Sequence, residues 1–125
     1  MNTLFLVIMI TQMLFGLGFT LMPGPFLAPF GVTFDPTATV FARLYGSALL
    51  GFVVILWYAR RSDKLEFKKA TLYGEFLYLL IGGVVLLITQ ISGLMNALGW
   101  FIIAEHWILT IWSAFFVIKS PRQNP

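Results

Sequence analysis

Glu105 and His106 stand side by side inside WFIIAEHWILTIW, residues 100 to 112, among aromatic and branched apolar side chains. A carboxylate next to an imidazole can hold or relay a proton near neutral pH, and an imidazole can also give one axial bond to a haem or chlorin metal. Arg43, Glu75, Gln12 and Tyr78 lie in comparably apolar surroundings. With Glu105 and His106 they make up a candidate intramembrane polar network. Read as a proton or substrate path, Arg43, Glu75, Glu105 and His106 are its stations. Read as a pigment site, His106 is the ligand, and Trp100, Trp107 and Trp112 pack on the macrocycle. Read as architecture, the same charges fix helix register.

Other chemistry has fewer residues to draw on. Cysteine is absent and His106 is the single histidine, so thiol catalysis, disulfides, iron–sulfur clusters and thiolate metal sites are excluded. One histidine without cysteine does not make a three-ligand zinc site, and no nucleophile–base set is visible. The expectation is a non-enzymatic protein with no catalytic residue and no metal.

The elements that carry these residues follow from composition. Of 125 residues, 59% are hydrophobic and 10% charged, whereas a soluble domain carries about a quarter charged residues. The charges are clumped and leave four long apolar stretches. These are residues 3–22, with no charge; 37–59, with only Arg43; 70–90, with only Glu75; and 94–118, with only Glu105 and His106. A helix rising ~1.5 Å per residue crosses ~30 Å of hydrocarbon in about 17–25 residues. LLIGGVVLLI does not alternate in polarity as a barrel strand must. The fold class is therefore all-α, a single integral membrane four-helix bundle over residues 1–125. The first stretch is read as a span rather than a cleaved leader, because Met1–Thr3 has no base and no small-x-small site precedes Pro23.

Orientation follows from the bases. Arg60, Arg61, Lys64, Lys68 and Lys69 fill the 60–69 connection, and Lys119 and Arg122 follow the fourth span. The other two connections have none. The positive-inside rule then places both termini in the cytoplasm, in a bacterial inner membrane, with Trp57 and Tyr58 in the aromatic belt. The net charge of +3 is read as an orientation signal and a contact to membrane lipids, not as a nucleic-acid surface.

Residues 23–36 form the outer connection, LMPGPFLAPFGVTFDPT in context. Its prolines are expected to prevent regular helix, leaving a stiff segment in the headgroup region or a docking surface for another subunit. Asp35 before Pro36 is expected to cap the second span. Ile91-Ser92-Gly93 is read as a tight turn that starts the fourth span almost at once.

Small and polar residues fall on stripes. Ala38, Ala42 and Gly46 recur at intervals of four, with Arg43, Ser47 and Gly51 on the adjoining row. Both rows are candidates for close helix packing, since association in lipid has no hydrophobic drive. An Arg43–Glu105 pair is geometrically open. Residues adjacent on a helix point about 100° apart, so Glu105 and His106 are expected to address different neighbours, one of them a second subunit or a ligand.

The chain also resembles a widespread group of small four-span bacterial membrane proteins with no known activity. The resemblance rests on FGLGFTLMPGPF, on ARLYGSALLGFVVILWYARR, and on Asn96–Trp100. It implies the four-span topology and makes Arg43 and Gly46 architectural positions. Glu105–His106 falls outside that pattern.

These readings converge on an accessory subunit packing against a larger membrane complex of respiratory or photosynthetic type. The alternatives are a small transporter or proton-coupled carrier, acting as a homo-oligomer through Arg43, Glu75 and Glu105, and a pigment or haem protein through His106. No cofactor is required, and the apolar faces leave room for lipid, carotenoid or chlorin contact.

Overall fold

The computed structural model describes residues 1–120; Arg122 of the C-terminal basic flank lies outside the described residues. The described residues are helical with no strand. They comprise α1 (Asn2–Leu21), α2 (Pro23–Leu27), a 3-10 turn (Ala28–Phe30), α3 (Pro36–Arg61), α4 (Leu65–Ile91) and α5 (Gly99–Lys119). α1, α3, α4 and α5 are each long and apolar enough to cross a membrane.

Three boundaries differ from expectation, each for a local reason. The basic connection shrinks to residues 62–64, because α3 runs on through Arg61 and α4 begins at Leu65. ARR and LEFKK contain no glycine or proline, and Leu, Lys, Arg and Glu are good helix formers. Their charge removes them from lipid, not from the helix. The outer segment holds a short helix because Pro23 and Pro25 occupy its first turn, where a missing N–H costs nothing. α5 starts at Gly99 rather than near residue 94. α4 ends in a Schellman motif, with Gly93 at φ 75°, Leu94 N–H donating to Thr89 O (3.2 Å) and Gly93 N–H to Gln90 O (3.0 Å). Residues 94–98 are then spent turning onto the second hairpin arm.

The expected cap is present. Asp35 Oδ1 accepts from Ala38 N–H at 2.7 Å and Pro36 is the first residue of α3, an arrangement worth about 1 kcal/mol.

The bundle is two helix pairs. α1 packs along α3 and α4 along α5, with thinner contact between the pairs. The first pair crosses where Gly16 meets Gly46. A Cβ on Gly46 would stand 2.6 Å from Thr20 Oγ1 and 2.8 Å from Gly16 O. Ala42, Gly46 and Leu49 form the seam, whereas Ala38 is half-buried. The adjoining row does not pack. Arg43, Ser47 and Gly51 are exposed, and nothing lies within 4 Å of a Cβ built on Gly51. One row is enough for a single close crossing, and the row 100° away is turned out of it.

Two ties join the pairs at opposite ends. Asn96 Nδ2 donates to Pro29 O (2.8 Å) and Asn96 N–H to Phe30 O (2.8 Å). At the other end Lys68 Nζ donates to Asn2 Oδ1 at 3.0 Å. Near that basic end Leu4, Phe5, Ile8, Leu56, Ala59 and Leu72 form a dry layer, each at most 1% exposed. Arg61 stacks over Trp57 and Lys119 over Phe115 there, at 4.0 and 4.1 Å. Phe26 of α2 folds back onto Phe15 and Phe19 at ring-centroid distances of 5.4 and 5.6 Å. At least that loop phenylalanine is occupied within the chain.

Candidate functional site

Above the dry layer the helices bring polar side chains together. Gln12 lies about 15 Å along α1 and Glu75 about 15 Å along α4, both counted from the basic end. Because α4 starts at Leu65, Glu75 sits nearly three turns into the helix. At that common depth Gln12 Nε2 donates to Glu75 Oε2 at 2.7 Å. Both side chains are buried, at 3% and 4% exposure. Insertion of an acidic residue at a helix centre costs about 2.5–3.5 kcal/mol, and a hydrogen bond from a buried amide offsets part of that.

Glu105 and His106 also meet each other. Glu105 Oε2 and His106 Nδ1 lie 2.8 Å apart. Though their Cβ atoms diverge, both side chains are long enough to lean together. His106 is buried, its ring centroid 6.1 Å from that of Tyr78. Thr110 donates to the His106 carbonyl at 2.7 Å. The hydroxyls of Tyr78 and Tyr45 are 2.6 Å apart, and either could be the donor.

Four of the six candidate network residues are therefore joined in two pairs, Gln12–Glu75 and Glu105–His106. Tyr78 lies beside His106, and Arg43 does not join. No ion pair links Arg43 to Glu105 among the described residues. Ala42 faces α1, so the next residue is carried off the seam. Tyr45 was not among the candidates. Its position three residues beyond Ala42 and four before Leu49 puts it near the buried row, which is the sequence signal for it.

Two spaces adjoin the cluster. A cleft of about 630 Å³ lies between the helix pairs, walled by Phe15, Phe19, Tyr45, Tyr78, Ile81 and His106 among others. A chamber of about 20 Å³ shares Phe15, Tyr45, Tyr78 and His106 with it and reaches Gln12 and Glu105. Gln12 Oε1 and Glu105 Oε1 are buried without a hydrogen-bond partner. Trp100, Trp107 and Trp112 line neither space, so they do not form the expected stack around His106. Trp107 packs instead against Gly83. Among the described residues no three His, Cys, Asp or Glu side chains gather in a metal-holding group.

No protein-family model matches the chain, and neither a curated protein nor a solved structure matches it significantly.

Proposed function

We propose that the chain is a non-enzymatic, multi-pass membrane protein that acts as an accessory subunit, packing through the outward face of α3 against a larger membrane complex. The exposure of Arg43 carries this reading. It lies about 10 Å along α3 from Pro36, among Val40, Phe41 and Leu44, which are 57%, 67% and 60% exposed. A guanidinium at that depth is costly against acyl chains, and polar or charged partners on a facing helix relieve the cost. A carboxylate at matching depth in a respiratory or photosynthetic type complex is the complementary group. The dry layer around Leu4, Phe5, Ile8 and Leu72 supports a packing role over a carrier, because any path through Glu75 would have to cross it.

Gentle-detergent extraction followed by native electrophoresis is expected to place the protein in an assembly several times its 14.1 kDa mass. Arg43→Leu is expected to reduce the assembled fraction roughly tenfold, the equivalent of about 1.4 kcal/mol. This substitution removes a cost from the isolated bundle, so loss of assembly would not reflect misfolding. A lone chain, or assembly indifferent to Arg43→Leu, overturns the reading.

The basic end supports a bacterial inner-membrane setting with both termini in the cytoplasm. The chain has no cysteine, so a single Ser62→Cys gives a clean topology probe. An impermeant maleimide is expected to label it only after spheroplasts are permeabilised. Labelling of intact spheroplasts would invert the topology.

A further inference from the structure

The cleft and chamber are more than a packing gap. The chamber, at about 20 Å³, holds one water-sized group. The orphaned atoms on its wall are both acceptors, Gln12 Oε1 and Glu105 Oε1. Gln12 is 97% buried, its amide nitrogen already committed to Glu75. Whatever satisfies these atoms must donate at least two hydrogen bonds. Acids also outnumber bases around it. Glu75 and Glu105 are the two acids here, His106 is the one base, and Arg43 is turned outward. Tyr45, Tyr78 and Phe15 line both the chamber and the cleft, and aromatic rings attract cations.

The cleft beyond is almost wholly apolar. It opens on the flank between α3 and α4, where Tyr45, Leu77, Ile81 and Val85 are 42%, 55%, 56% and 56% exposed. At about 630 Å³ it is in the range that encloses a small organic ligand. A water could fill the chamber but leaves the cleft to disordered chains, and a lipid acid would set a carboxylate against Glu105.

We propose that this is a binding site for a lipophilic primary ammonium. Its –NH₃⁺ enters the chamber and donates to Gln12 Oε1 and Glu105 Oε1, while its apolar body lies in the cleft between Phe15 and Ile81. The subunit reading is independent of this site, because the face carrying Arg43 is elsewhere on α3.

A diazirine-bearing dodecylamine, with the matching dodecanol as control, tests it in nanodiscs of zwitterionic lipid. Crosslinks mapped by mass spectrometry are expected at Leu77, Ile81 and Val85, with the amine labelling about tenfold more than the alcohol. Glu105→Gln keeps an acceptor but removes the charge, and should cut amine labelling several-fold without changing alcohol labelling. Gly74 lines the cleft, and a Cβ there meets nothing within 4 Å. Gly74→Trp should therefore block labelling while the protein elutes normally. Equal labelling by amine and alcohol overturns the proposal. So do crosslinks spread evenly over all outward helix faces, or labelling that survives Gly74→Trp.

Discussion

Gly46→Ala lowers the free energy of unfolding in detergent by about 1–3 kcal/mol, the usual cost of forcing a methyl group into a full interface. The added Cβ would meet Thr20 Oγ1 at 2.6 Å, Gly16 O at 2.8 Å and Phe19 Cβ at 2.8 Å. Thr20 can rotate away, but the Gly16 carbonyl belongs to the α1 backbone, so α1 itself must move. That movement weakens the close contact on which helix association in lipid depends. Gly51→Ala is the control, since its Cβ would meet nothing within 4 Å. There the better helix propensity of alanine favours a slight gain. Denaturation curves in one detergent should separate the two substitutions clearly. Identical curves would mean that the Gly16–Gly46 crossing does not hold the first helix pair.

Gln12→Leu and Glu75→Leu are each expected to cost about 1.5–3 kcal/mol, and the double substitution much less than their sum. Interhelical hydrogen bonds in membranes measure about 0.6 kcal/mol on average and rarely pass 1.7. The single substitutions cost more because each strands the surviving partner. Gln12→Leu leaves the Glu75 carboxyl buried without its donor, and Glu75→Leu leaves the whole Gln12 amide unpartnered. Removing both replaces a polar pair with two apolar side chains of similar size, a change that can be close to neutral. A double-mutant cycle in denaturant gives the coupling directly. Simple additivity would show that the 2.7 Å contact contributes nothing to holding α1 against α4.

Much of the architecture was legible because the bilayer leaves few choices. Apolar runs of span length with at most one or two ionisable residues, no β alternation and an Asp35 cap before Pro36 led to the four long helices now seen. Helix ends were less legible, since hydropathy reports where a chain leaves lipid and not where its hydrogen bonding stops. Leu65–Lys69 is charged and helical at once. Pro23 and Pro25 read as helix breakers, yet they start one.

In the site, residue type identified Gln12, Glu75, Glu105 and His106 as residues requiring partners. It did not identify the partners, because pairing depends on how far each helix turns and slides. Arg43 shows the limit most plainly. It follows Ala42 directly, and that one-residue step of about 100° separates the packed row from the unpacked one. Gly16, the other half of the tightest crossing, gave no chemical signal of its own and became visible only once α1 and α3 were placed together.

The two ties at opposite ends of the bundle, from Asn96 to Pro29 and Phe30 and from Lys68 to Asn2, leave the space between the helix pairs with its mouth on the flank. In a membrane-spanning bundle, a ligand of the proposed site would therefore arrive by lateral diffusion through the lipid rather than from the water on either side. The governing variable is its mole fraction in the bilayer. Half-saturation should move when the lipid-to-protein ratio is changed at fixed total dose, and weakly partitioning compounds should look inactive however well they fit.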